Sequence, residues 1–237
     1  MRLPEPLLEA EFLDRPNRFL AVVRLGGRPV EAHLPDPGRL RELLVPGAPV
    51  WVHPRDAARG LRTRYTLCLV RAPTGELVSV VTTWANALVA EALEAGALPE
   101  LAGWRVVARE ATRAGHRFDF LLRAERGRRA MWLEVKSVTL VDRGRGLFPD
   151  AVTARGARHV RALAARARRG GAAGLLFVVQ RRDARSVTAA RAIDPNFADA
   201  LEDAVRAGVR CWARACEVGL REARLGDPLP VFVGEPP

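Results

Sequence analysis

The chain has 237 residues, 49% of them hydrophobic, which is enough to bury a core without covalent staples. Its three cysteines, Cys68, Cys211 and Cys216, are odd in number and lack a C-x-x-C spacing, which argues against a disulfide framework or a zinc knuckle and for small buried thiols in a reducing compartment. A formal charge of +11 favours polyanionic partners, no apolar run approaches a membrane span, and the start MRLPEPLLEAEF is acidic, so the expectation is a cytoplasmic nucleic-acid-binding protein with no membrane role.

Over residues 1–82 short strand signals alternate with Pro and Gly turns: Arg18 to Leu25, Arg28 to Leu34, Ala48 to His53, Arg64 to Val70 and Leu77 to Thr82. One short helix is expected from Gly38 to Leu44. Five short strands in this length suit a small OB-like barrel, a fold used to bind single strands and oligomers. From Thr83 the texture changes, and residues 83–237 read as a separate α/β domain with helices packed on a mixed sheet in two or three layers. Its expected elements are a helix from Trp84 to Ala95, strands from Trp104 to Arg109, Arg117 to Arg123 and Arg129 to Lys136, and a helix from Thr153 to Arg169. A buried strand from Gly174 to Gln180, a helix from Asn196 to Ala207 and a strand from Val209 to Cys216 follow. The Arg- and Ala-rich Thr153 helix keeps an apolar stripe at Ala157, Val160, Leu163, Ala164 and Ala167, so it is no disordered arm. Gly226 to Pro237, with four prolines, is expected to be a loose edge or tail. No internal repeat and no helix-turn-helix signature stand out.

Of the 38 basic residues, only Lys136 is a lysine. Guanidinium serves phosphate contact and surface charge as well as ammonium does, but it is larger, planar and never a base, so a single retained lysine points to a compact cation needed at one place. In R-A-M-W-L-E-V-K, strand alternation puts Trp132, Glu134 and Lys136 on one face and the core residues Met131, Leu133 and Val135 on the other. Glu134 and Lys136 are then about 7 Å apart along the strand, close enough to share one metal-bound water. Asp119, in R-F-D-F-L-L, sits among apolar residues, where a carboxylate needs a metal or cation to offset desolvation. Glu91, three residues after Leu88 and seven after Trp84, is either a third acid of the same site or the partner of an arginine. Carboxylates beside an ammonium suit Mg²⁺ or Mn²⁺ and phosphodiester hydrolysis, with Glu91, Asp119 and Glu134 as candidate metal ligands and Lys136 acting on water and transition-state charge. Gln180, closing a buried strand, is taken as a further catalytic candidate that reaches the site from its neighbour.

The sequence resembles the sugar fermentation stimulation protein A family over nearly its whole length. The matching stretches are R-P-N-R-F at 15–19, A-H-L-P-D-P-G-R-L at 32–40, R-F-D-F at 117–120, W-L-E-V-K-S-V-T-L at 132–140, F-P-D-A-V-T-A-R-G-A-R-H at 148–159 and F-V-V-Q-R-R-D at 177–183. The resemblance implies an OB-like domain followed by a nuclease domain of the PD-(D/E)xK type, DNA binding, and Asp119, Glu134 and Lys136 at the nuclease motif. Where the family usually has Cys, Asn and Thr, this chain has Leu34, Asp36 and Pro37, which excludes a thiol there. Gly38 can open a helix whose N–H groups hold a phosphate, although Asp36 would repel one and a helix cap is the alternative. Arg15, Arg18 and Arg39 from the N-terminal stretches, with Arg155 and His159, are the candidate nucleic-acid contacts; for His159 a structural hydrogen bond is the equal alternative. Asp150 is either a supporting residue of the site or a loop acid. Two functions follow as expectations. One is a DNA-binding, metal-dependent nuclease, with RNA not excluded as its substrate. The other is a non-catalytic DNA-binding or regulatory module affecting sugar metabolism, maltose included. Oligomerisation stays open.

Overall fold

A computed structural model of the chain describes residues 1–56, 62–113 and 115–234. Six N-terminal strands, β1 (Leu8–Asn17), β2 (Leu20–Leu25), β3 (Arg28–His33), β4 (Pro49–Pro54), β5 (Tyr65–Arg71) and β6 (Leu77–Ser79), pair in the order β3-β2-β1-β4-β5-β6. Parallel pairing of Ala32 with Tyr65 and His33 with Thr66 joins β3 to β5 and closes five of the strands into a barrel. Alternate side chains fill it: Phe12, Val23, Ala32, Val50, Val52 and Leu67 are buried together with Leu40 and Leu43 of the β3–β4 connection.

The first strand was not among those expected. The period-two pattern Leu8, Ala10, Phe12 is present, but the acidic residues between them and Pro16 mask it, and the strand departs from regular register between Phe12 and Asp14 and again before Asn17. The expected helix from Gly38 to Leu44 is also corrected. That segment is a turn closed by Leu44 N–H on the Leu40 carbonyl (2.8 Å), and Leu40 has a φ of 50°, which a right-handed helix does not allow.

Helix α1 (Thr83–Glu94) and a short 3-10 turn (Pro99–Leu101) lead into β7 (Trp104–Arg113), β8 (His116–Ala124) and β9 (Ala130–Val138). Next come β10 (Val141–Asp142), β11 (Arg145–Phe148), helix α2 (Ala154–Arg168), β12 (Ala172–Val179), β13 (Ser186–Ala189), helix α3 (Pro195–Arg206), β14 (Arg210–Val218), β15 (Ala223–Leu229) and β16 (Val231–Phe232). The main sheet runs β15-β14-β12-β9-β8-β7, parallel at β9–β12 and β12–β14 and antiparallel elsewhere; a four-stranded sheet β10-β11-β13-β16 lies beside it. The stretch expected to be a loose edge or tail supplies the end of β15 and all of β16, each an edge strand of its sheet, while 235–237 of it lie outside the described residues. Pro228 is tolerated because β15 is an edge strand, where a missing N–H breaks no central ladder.

The main sheet is covered on both faces. Met131, Leu133 and Val135 of β9 and Phe120 and Leu122 of β8 pack against Ala85, Leu88 and Val89 of α1 and against Trp51, Cys68 and Leu69 on the outside of the barrel. On the other face α2 and α3 bury Val160, Leu163, Phe197 and Leu201 over Trp132, Leu175 and Phe177. Thr153 and Asp194 cap these helices, accepting from the N–H groups of Gly156 (3.1 Å) and Phe197 (3.0 Å). The expected architecture, a small OB barrel followed by a mixed sheet flanked by helices, is the one observed, in three layers. Burial pushes all three thiols up to about 12, so they behave as packing groups. Among the described residues no helix is long and apolar enough to cross a membrane.

Candidate active site

Strands β8 and β9 pair from Arg123–Ala130 down to Phe120–Leu133, and there the ladder opens. Beyond that point the Val135 N–H donates to Asp119 Oδ2 (2.7 Å) rather than to a strand carbonyl. Asn86, on the first turn of α1, donates to Asp119 Oδ1 (2.7 Å), so both oxygens are oriented. One residue earlier on β9 the Glu134 side chain, 5% exposed, turns toward α2. Its Oε1 accepts from Lys136 Nζ (2.6 Å) and from His159 Nδ1 (2.6 Å), the ring donating because a carboxylate only accepts. Its Oε2 is buried with no partner.

These surroundings drive the two carboxyls apart. Burial, then the nearby Glu134 charge, raises the Asp119 carboxyl above the usual range, against the pull of Val135 N–H, Lys136 and Asn86. Burial would also raise Glu134, but the His159 hydrogen bond and the Lys136 charge outweigh it and hold that carboxyl low. The two acids of one site are thus pushed in opposite directions by their surroundings. The floor of a cleft of ≈ 570 Å³ carries Asp119, Asn86 and Lys136; Arg18 of the barrel, Arg117 and Arg155 stand around it. Its wall includes Asp36, Gly38 and Asp150.

Asp119, Glu134 and Lys136, predicted as a unit, do meet. Glu91 does not join them: it is exposed and pairs with the Met1 amino group (2.8 Å). It stands five residues, or about 7.5 Å of helix rise, beyond Asn86, the α1 residue that reaches the acids. Among the described residues no group of three or more His, Cys, Asp and Glu side chains converges to hold a metal. The groups available to a hard cation are Asp119 and Glu134, two repelling carboxylates with one unpartnered oxygen, a donor set that water would have to complete. Gln180 is buried and donates to Ser137 Oγ (3.1 Å), supporting the residue after Lys136 rather than lining the cleft.

Of the expected nucleic-acid contacts, Arg18 and Arg155 are exposed and line the cleft. Arg15 is spent on the chain itself, donating to the carbonyls of Arg39 (2.6 Å), Arg18 (2.9 Å) and Asp36 (3.2 Å). Arg39 is exposed but does not line the cleft. Of the two alternatives for His159, phosphate contact and a structural hydrogen bond, the geometry matches the second: the residue is 8% exposed and its ring is aimed at Glu134. The Gly38 loop is closed to a phosphate because its N–H groups already face carboxylates: Gly38 donates to Asp36 Oδ1 (2.8 Å) and Leu40 to Asp150 Oδ2 (3.2 Å). Asp150 thus supports the loop that walls the cleft. Asn86 and Arg117 were not among the expected site residues, although an amide between Ala85 and Ala87 in the first turn of α1 is a visible signal.

A closed five-stranded barrel joined to a mixed α/β sheet, with an acid pair and a lysine where two strands part, defines a two-module protein with a buried polar site at the foot of an arginine-lined cleft. The chain belongs to the sugar fermentation stimulation protein family. The family's "Sugar fermentation stimulation protein RE domain" model matches residues 83–222 and its "SfsA N-terminal OB domain" model residues 13–80. Sugar fermentation stimulation protein homologs from Shouchella clausii and Moorella thermoacetica are 46% and 43% identical, covering 98% and 92% of this chain and 100% and 93% of theirs. The solved structure of Pyrococcus furiosus SfsA in complex with Ca²⁺ matches with a TM-score of 0.88 at 29% identity, over 98% of both chains.

Proposed function

We propose that this protein binds nucleic acid and hydrolyses its phosphodiester bonds at Asp119, Glu134 and Lys136 with a divalent cation. The observation that carries this reading is the buried Asp119–Glu134 pair with an unpartnered Glu134 oxygen, joined through Asp119 and Lys136 to a cleft that Arg18, Arg117 and Arg155 also line. The Ca²⁺ in the related Pyrococcus furiosus structure supports a metal site, and Mg²⁺ or Mn²⁺ suits its oxygen donors. When bound, the cation supplies Lewis acidity and a more acidic water. Asp119 is held for this by Asn86 and the Val135 N–H, and Glu134 by His159. The Lys136 ammonium offsets charge building on the phosphoryl oxygens, and the surrounding arginines bind flanking phosphates.

The test is nicking of supercoiled plasmid, with single-stranded DNA and RNA as further substrates. Wild type is expected to cut in Mg²⁺ or Mn²⁺, and Lys136→Ala to cut on the order of 100-fold more slowly with DNA affinity retained. No cutting by wild type with any of these metals and substrates would sink the hydrolytic reading.

A second reading, a module that grips DNA without turnover and acts on sugar metabolism through regulation, is favoured by one observation. Lys136 and His159 both already face one oxygen of Glu134, so the protein itself neutralises that acid. It predicts that Glu134→Gln leaves metal binding and any cleavage unchanged.

A further inference from the structure

Next to His159, whose ring meets His116 and Phe118, the start of β8 and helix α2 enclose a second cavity, of ≈ 260 Å³. Phe118, Trp132 and His116 line it, with ring centroids 5.4 Å apart for Phe118–Trp132 and 6.1 Å for His116–Phe118. Its other prominent lining groups are three arginines, Arg113, Arg166 and Arg169. None of the three forms an ion pair with a carboxylate among the described residues. Arg166 donates weakly to the Ala130 carbonyl (3.3 Å), and its Nε–H is buried with no acceptor. Arg113 and Arg166 are also close enough for the charge of one to disfavour the other. An aromatic recess edged by uncompensated guanidiniums matches one ligand chemistry, a flat π-system carrying an anion. At this size, just under the roughly 300–1,000 Å³ typical of pockets for whole drug-sized ligands, it holds one ring system and no more.

We infer that this cavity is a nucleotide subsite, taking one base against Phe118, Trp132 and His116 while its phosphate meets Arg113, Arg166 and Arg169. The inference rests on the proposed action on nucleic acid and extends it: one unstacked nucleotide of the substrate sits a single ring away from the acid pair. His159 is that ring. It meets His116 and Phe118 at 6.1 and 5.8 Å and hydrogen-bonds Glu134 with its Nδ1. The same chemistry could be presented by a free mononucleotide or by a nucleotide within a strand, and the two are separable.

The experiment titrates the full chain, in EDTA so that no cutting occurs, with adenosine 5′-monophosphate and with a single-stranded 12-mer DNA. Quenching of tryptophan fluorescence is read, with Trp132→Phe assigning the signal. Two variants probe the cavity: Ala162→Phe fills it from α2, and Arg113→Glu with Arg169→Glu reverses its exposed charge without touching the core. Wild type is expected to show saturable quenching that Trp132→Phe removes, and both variants to weaken binding at least tenfold. Affinity for the 12-mer at least tenfold above that for the mononucleotide identifies a strand nucleotide; equal affinities identify a free one. Binding equal in wild type and both variants, or no saturable quenching by either probe, overturns the subsite. The two proposals fail differently. Quenching without any nuclease activity keeps the subsite and removes hydrolysis, whereas plasmid cutting with unaltered binding in both variants does the reverse.

Discussion

Asp36 is where a single side chain leaves a pH signature. Burial pushes its carboxyl from 3.8 up to about 6, with the Gly38 N–H and Arg15 pulling it down and Asp150 and Glu42 pushing it further up. The folded state therefore holds this proton more tightly than the unfolded chain does. Stability from this group is full below about pH 4 and is lost as pH rises through about 6. Asp36→Asn keeps the acceptor for Gly38 and removes the titration. It is expected to leave stability at pH 4 unchanged and to add about 1–3 kcal/mol above pH 6, read by urea melts at both. At this scale the sequence was informative where local chemistry decided the outcome: strand alternation and a lone lysine located Glu134 and Lys136, and an isolated acid among phenylalanines located Asp119. His159 was ambiguous because its partner lies 25 positions away on another element. Glu91 misled because helical phase fixes a direction around the axis but not which end of the helix meets the site.

Among the elements, the β3–β4 connection shows how a distant residue overrules local pattern. Gly38 to Leu44 has helical spacing of its leucines, yet Asp150, 110 positions on, takes the Leu40 N–H and presses against Gly38. A Cβ at residue 38 would lie 2.3 Å from both Asp150 carboxylate oxygens. Gly38→Ala is therefore expected to cost on the order of 1–3 kcal/mol by forcing that wall of the cleft apart, which chemical denaturation would measure; no loss would mean that the loop moves freely. The long elements were legible because each has one apolar face: α1, α2, β9 and β12 lie within a few residues of their expected limits. The short β10, β11, β13 and β16 were not, since a two- to four-residue strand carries no period and exists only through its neighbours.

Over the whole molecule the charge of +11 sets long-range attraction, and the cleft decides where it is used. Arg18 comes from the barrel and Arg155 from α2, so a strand bound as proposed would touch both halves of the chain. Replacing both by Ala is expected to weaken DNA binding and to lower the slope of log affinity against log salt by about 1.8, since each phosphate left without its arginine removes about 0.9; an unchanged slope would place the strand elsewhere. The halves are also tied directly. Ser79 N–H bonds the Gln180 carbonyl (3.2 Å), and Thr74 Oγ1 bonds Asp183 (2.8 Å), itself paired with Arg181. Finally, a chain with one lysine has one side-chain amine, and here that amine is 11% exposed and reports on the acid pair. Reductive ¹³C-methylation would therefore give a two-signal spectrum, Lys136 and the amino terminus, with each amine facing a glutamate: Glu134 for one and Glu91 for the other. The site thus carries its own spectroscopic label, and the second signal is an internal reference on the far end of α1.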